Sequence, residues 1–233
     1  MIVASVANLD TDAAFTAASF VQSAGTGTTT FDAAVNTNAG DGVNITGTNL
    51  VLNSSITTTN DGVVTTDLAN TIVIAAAGDI TADGAVTLDA AAAGTASITT
   101  AGDVTTTADN ITFNDATTLT GAVALVSAGG VIDFNNTLNG AQDLTLTAAA
   151  GNINFDNTVG NDAALGTVTI ASAGTIDTDN TFVSAAQTWT AATEIQTDAL
   201  VTSTGTVNWT AADIDVNAGI TAAGQTVDLN ATG

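Results

Sequence analysis

The chain has 233 residues, 23 of them acidic, and contains no lysine, arginine, histidine, cysteine, proline or tyrosine. Its formal net charge of -23 has no side-chain counter-ion within the molecule. Salt bridges, arginine forks, P-loop lysines, histidine acid–base catalysis, Ser-His-Asp triads, histidine metal sites and disulfides are therefore excluded. No nucleic-acid partner is expected, because binding one requires cationic neutralisation of phosphates. No membrane insertion is expected either, because no stretch approaches the roughly 18 apolar residues that span a bilayer. Against disorder stand the 45% hydrophobic content and a single glutamate, Glu194.

The first 22 residues read differently from the rest. IVASVANL suits a strand. DTDAAFTAASF suits a short helix with Asp10 or Asp12 as N-cap and an Ala-rich turn after it. Residues 1–22 are therefore expected to be an N-terminal cap, or a segment donated to a neighbouring subunit by strand addition. No positive n-region marks a signal peptide.

Residues 23–233 form one repeat domain. TTTFDAAV (28–35) and NLVLNSSI (49–56) are loose copies of a strand–corner unit. TIVIAAAGDITADGAV (71–86) aligns with LTLTAAAGNINFDNTV (144–159), which places Ile80 at the Ile153 position and Val86 at the Val159 position. ASITTAGDV (96–104) is another copy. Between residues 80 and 132 the repeat can be phased on Val104 or on Ile111, and the pattern does not choose. Beyond residue 122 the phase is clear. An anchor Ile is followed two residues later by Phe, Thr or Val, at Ile132/Phe134, Ile153/Phe155, Ile176/Thr178, Ile195/Thr197 and Ile214/Val216. Six residues after each anchor comes a second apolar residue: Leu138, Val159, Phe182, Val201, Ile220.

Within each copy apolar and polar residues alternate, as in Ile153-Asn154-Phe155-Asp156. That is the period of a strand with one buried face. Gly, Asn and Asp bound the strands and suit corners. A repeat of about 20 residues cannot bury its own apolar face, but stacked copies can. The expected fold is all-β: a parallel β-helix (β-solenoid) of about 9–11 rungs of roughly 20 residues, giving a rod on the order of 45–50 Å at a rise of about 4.8 Å. The absence of proline fits, because every inner strand needs its N–H groups.

Stacking places Asn135, Asp156, Asp179, Asp198 and Asn217 in one outward column, three residues after the anchors. Asp133, Asn154, Asp177, Gln196 and Asp215 form another, one residue after them. Carboxylates about 5 Å apart repel by about 0.8 kcal/mol at bulk dielectric. Screening salt and Asn/Asp hydrogen bonds answer that repulsion in one reading. In the other, Ca²⁺ bridges oxygens of adjacent rungs, and the candidate ligands are Asp133, Asp156, Asp177, Asp179, Asp198 and Asp215. No EF-hand or nonapeptide calcium loop is present. Phe113, Phe134 and Phe155 are read as an inward core ladder, with Trp189 and Trp209 beginning a second; exposed aromatics forming a sugar platform are the alternative. Thr-rich runs raise an ice-binding face, but the TxT unit does not recur at one position in every rung. Carboxylate pairs can hydrolyse glycosides, yet without basic residues to assist them no enzyme activity and no catalytic residue is expected.

GNINFDNTV, AQDLTLTAAAG and LGTVTIASAGTI resemble the repeats of filamentous-haemagglutinin-like bacterial surface proteins, most closely over residues 122–185. The resemblance implies a right-handed parallel β-helix, export across a bacterial envelope and an extracellular or cell-surface location. It also implies a role as an adhesin stalk or fibre. The last repeat stops after QTVDLNATG with no charged or proline-bearing cap. We therefore expect either a segment of a longer repeat protein or a subunit whose end meets another copy, with self-stacking as the main partnership. A carbohydrate- or surface-binding adhesin module, with surface glycans as partners, is the alternative.

Overall fold

The computed structural model describes residues 1–90 and 97–233. Among these residues all regular structure is β, and every strand pairing is parallel. The chain winds as a β-solenoid of about 11 turns of roughly 21 residues. Each turn lays one strand on each of three faces. The first face runs from Ile2–Val3 through Phe20–Gln22 and continues up to Glu194–Thr197 and Asp213–Val216. The second starts at Leu9–Thr11 and reaches Val201–Ser203 and Ile220–Thr221. The third starts at Phe15–Ala17 and reaches Val207–Ala211 and Val227–Ala231. Long strands such as Val43–Leu52 and Val64–Ile74 bend round a corner and serve two faces.

The anchors fall into register as the alternation requires. Ile111, Ile132, Ile153, Ile176, Ile195 and Ile214 stack on the first face. Leu138, Val159, Phe182, Val201 and Ile220 stack on the second. All but the topmost residue of each column are fully buried, so one apolar column runs the length of the molecule. Register is fixed this firmly because a one-residue slip would turn every anchor to solvent.

Two expectations are corrected, and one open phase is resolved. Residues 10–20 form no helix; Leu9–Thr11, Phe15–Ala17 and Phe20–Gln22 are strands. Phe15-Thr16-Ala17 has a ready partner in Val35-Asn36-Thr37. That ladder outweighs the helix preference of alanine, because an isolated helix this short is marginal. Second, Ile80 does not occupy the Ile153 column. It pairs with Ile56 and Val104 on the third face, and Val86 is the residue that shares the Ile153 column, through Val64 and Ile111. The open phase between residues 80 and 132 resolves into two anchors on different faces, Val104 and Ile111, and it is Ile111 that pairs with Ile132. The misplacement of Ile80 and the ambiguity between Val104 and Ile111 share one cause. A six-residue step marks a tight corner, and that corner joins the second and third faces at Leu50–Ile56 but the first and second at Ile132–Leu138. Local sequence specifies the corner without saying which corner it is. The 96–104 copy is in register from Ile98 onward; Ala96 lies outside the described residues.

Core packing shifts along the axis. Phe113, Phe134 and Phe155 stack on the first face with centroids 5.0 and 5.4 Å apart. Phe155 then meets Phe182 edge-on at 5.3 Å, and Phe182 meets Trp189 edge-on at 4.9 Å. Trp189 and Trp209 stack on the third face at 4.6 Å and 4°. Where the Trp pair enters the third face, the first face carries Thr178 and Thr197 in place of Phe. Aromatic bulk crosses the core and small residues stand opposite, which keeps total volume near constant. Close approach also fixes some glycines. Gly42 has φ +56, and a Cβ there would stand 1.9 Å from the Val63 carbonyl oxygen.

Truncating a buried anchor should cost far more than truncating an outward residue on the same face. Ile153→Ala is expected to lose about 2–5 kcal/mol, and Thr87→Ala to stay within about 0.5 kcal/mol, measured by chemical denaturation.

Candidate functional site

Strand alternation sets the outward polar columns. Asp133, Asn154, Asp177, Gln196 and Asp215 stand in register one residue after the anchors. Acid and amide alternate strictly, so neighbouring carboxylates of this column are two rungs apart, roughly 10 Å and close to the screening length at 0.1 M salt. Asn135, Asp156, Asp179, Asp198 and Asn217 lie just past the strands. Each donates its backbone N–H to the carbonyl of the strand-end residue one rung below (Phe113, Phe134, Phe155, Thr178 and Thr197 in turn), at 2.9–3.1 Å. This column holds three successive carboxylates, with asparagine at both ends.

The amides do much of the neutralising. Gln196 Nε2 and Asn217 Nδ2 donate to Asp198 Oδ1 at 3.0 and 2.9 Å. With its amide nitrogen turned to the carboxylates, Asn135 reaches Asp133 at 3.1 Å and Asp156 at 3.3 Å. Asp198, solvated and bonded by Asn217 and Gln196, titrates below the usual carboxylate range. Asp133 and Asp177 are half-buried, and one oxygen of each is inaccessible and unpartnered. Desolvation, and then repulsion from Asp156, push Asp133 up, against a hydrogen bond from Asn154. Desolvation, and then repulsion from Asp179, Asp198, Asp156 and Glu194, push Asp177 up. Asp215 is exposed near the upper end of the first face.

The six candidate calcium ligands are thus brought onto one ridge. Among the described residues, however, no three of them place oxygens within 4.8 Å of one another; the set that does is Asp10, Asp12 and Asp32, all exposed. Sequence reasoning missed this trio because it took residues 10–20 as helix. The strand register, with Thr11 beside Phe31, sets Asp12 beside Asp32.

Other acids have a different occupation, also unforeseen. At the corners their carboxylates accept backbone N–H groups from the next rung. Ala124 N–H donates to Asp103 at 2.7 Å, Thr167 to Asp143 at 2.7 Å and Asp103 to Asp79 at 2.9 Å. Asn8, Asn110 and Asn152 accept from Thr28, Val131 and Thr175 in the same way. Asp83 accepts from Asp61 N–H and from Thr107, which holds its carboxyl below the usual range. These are orphan donors at strand ends, and Asn or Asp satisfies them as an N-cap would. A shallow surface depression bordered by Asp103, Val123, Ala124, Asp143 and Thr145 has both its carboxylates engaged in this way.

The aromatic ladders lie inside, each ring no more than 2% exposed, so they offer no sugar platform. Outward threonines do align, in Thr57–Thr81–Thr105 and Thr65–Thr87–Thr112. Asn36 and Val126 end the first run, and Asn44 and Asp133 the second. No helix of the described residues is long and apolar enough to cross a membrane. Comparison of the chain with protein-family models, with curated proteins and with solved structures gave no match.

Two tests follow from the carboxylates. Because Asp133 and Asp177 titrate above 3.8 in the folded state, the folded form binds protons more readily than the unfolded. Stability rises as pH falls through their raised values toward 3.8. Asp83 and Asp198 act oppositely: their contribution is present above 3.8 and is lost as pH falls through their lowered values. The melting temperature should increase from pH 7 toward pH 4 and turn down at lower pH, and Asp177→Asn should raise it at pH 7 and flatten the rise. Separately, Asp143→Ala should cost about 1 kcal/mol for the lost acceptor of Thr167 N–H, and Asp143→Asn should recover most of it in denaturant titrations.

Proposed function

We propose that this chain is a structural element: a β-solenoid segment of an extracellular bacterial filament or adhesin shaft that continues end to end by rung stacking. The observation that carries the reading is the parallel ladder among the described residues, whose anchors stay in register from rung to rung, with apolar residues at the anchor positions of both outermost rungs. Val3, Leu9 and Phe15 on one side and Ile214, Val216 and Ile220 on the other are partly buried against the core. Continuing the register sets Ile214 over Met1, Ile220 over Leu9 and Leu229 over Phe15 of the rung that follows. Every face then meets with an apolar pair, and no carboxylate is placed directly on another at those positions. Parallel strand pairing and burial of the apolar column hold such a joint, and because the contact is heterologous it produces an open fibre. The acidic surface keeps fibres apart and soluble.

The resemblance to filamentous-haemagglutinin-like repeats supports the surface location, and the lack of any lysine or arginine leaves trypsin no site, which suits a durable external material. Calcium enters as a bridge between carboxylates of the Asp133–Asp215 ridge. With no three of those oxygens close together, each ion there takes at most two of these carboxylates and completes its shell from amides and water.

Electron microscopy of the purified chain at neutral pH, with calcium and with EDTA, tests the reading. Long fibres of uniform width are expected. Isolated rods about 50 Å long would overturn end-to-end assembly, and saturable glycan binding by such rods would replace it with the adhesin-module reading. An unchanged melting temperature and morphology in EDTA would remove calcium from the account.

A further inference from the structure

Inward hydroxyls close the corners of this solenoid. Thr100 donates to the Gly102 carbonyl at 3.0 Å, Thr106 to Asp109 at 2.6 Å, Ser127 to Gly130 at 3.0 Å and Ser203 to Gly205 at 3.1 Å. Each stands two residues after an apolar anchor of its strand. Thr178 and Thr197 hold the equivalent place on the first face, in register with each other and fully buried, and their hydroxyls have no protein partner.

They are not alone. Trp189 shares a turn with Thr178, and Trp209 shares one with Thr197. The indole N–H groups of both tryptophans are buried and unpartnered. So is Oε1 of Gln187, whose Nε2 already donates to Ser184 Oγ at 3.0 Å. Five orphaned polar side-chain atoms therefore sit inside two successive turns, on residues no more than 1% exposed. Elsewhere among the described residues only Thr37, Asp133 and Asp177 carry such atoms. Buried polar atoms in folded proteins are nearly always bonded, to protein or to ordered water.

The set has a definite chemistry. The two indoles can only donate, Gln187 Oε1 can only accept, and the two hydroxyls do either. An anion would leave the carbonyl unmet, and a cation would leave the indoles unmet. Water accepts from an N–H and donates onward to an oxygen. Two threonines also stand where the three turns below carry phenylalanine, so the first face presents hydroxyls in place of rings at the level of the polar atoms.

We propose that this part of the core is an internal hydration site: a short file of ordered water bonded to the Trp189 and Trp209 indoles, the Thr178 and Thr197 hydroxyls and Gln187 Oε1. Buried waters of this kind make two to four bonds to otherwise unsatisfied groups and belong to the structure.

The test is water-to-indole cross-relaxation in the ¹⁵N-labelled chain, read beside melting temperatures of Thr178→Val and Thr197→Val. Both indole N–H protons should show cross-peaks to long-lived water. Each valine variant should melt several degrees lower and weaken the cross-peak of the tryptophan in its own turn, and Thr→Ser at the same positions should restore it. Should a valine variant fail to fold, the wild-type spectrum decides alone. Indole protons without water cross-peaks, or valine variants that melt at or above wild type as a dry core would make them, overturn the proposal.

Discussion

Parallel pairing between successive turns, with an apolar anchor stacked on an apolar anchor, is the constraint on which everything else depends. A single turn of this chain has no core. Its Ile, Leu, Val and Phe side chains are buried only by the turns above and below, so stability resides in the stack and not in any rung. Each inner strand is bonded on both sides. Proline is therefore absent, β-branched residues fill the strands, and glycines such as Gly42 stand at corners where backbones approach closely. The exchange of the phenylalanine ladder for the tryptophan pair shows how the column changes composition without changing width: the bulk moves to another face and threonine takes the vacated side.

Stacking has an electrostatic cost, because identical turns put identical charges a rung apart. With no side-chain cation anywhere, the molecule relies on arrangement. In the Asp133–Asp215 column, Asn154 and Gln196 separate the acids. Around Asp198, Gln196 and Asn217 supply the donors. At the corners, carboxylates accept the N–H groups that strands leave unpaired. Asp133 and Asp177, half-buried and then repelled by neighbouring carboxylates, hold their protons more tightly than usual. Acidity here supplies hydrogen-bond acceptors and solubility together, and it does not by itself define an ion-binding or catalytic centre.

Much of the architecture was legible in the sequence beyond residue 122, because there the anchor step and the six-residue corner repeat on the same two faces. Ile132, Ile153, Ile176, Ile195 and Ile214 fall in one column as their spacing implies. Upstream the same corner sits between different faces, so the local pattern puts Ile80 and Val86 each one face away from where they pair. Residues 10–20 look helical in sequence because alanine preference is local, whereas the ladder that captures Phe15–Ala17 lies some 20 residues ahead. The acidic columns were legible from alternation alone. The grouping of Asp10, Asp12 and Asp32, the corner acceptors and the buried polar atoms beside Trp189 and Trp209 were not, because each depends on which turn lies above which.

The most direct test of the account is the axial distance between two outward residues of one column. Val21 and Asp215 lie nine rung steps apart through Asn44, Thr65, Thr87, Thr112, Asp133, Asn154, Asp177 and Gln196. The chain has no cysteine, so Val21→Cys and Asp215→Cys admit spin labels at those two positions alone. Pulsed dipolar spectroscopy on labelled protein diluted with unlabelled chain should give a narrow distribution near 43 Å, nine steps of about 4.8 Å. A distance well below about 30 Å, or a broad distribution without a peak, would contradict the stacked column.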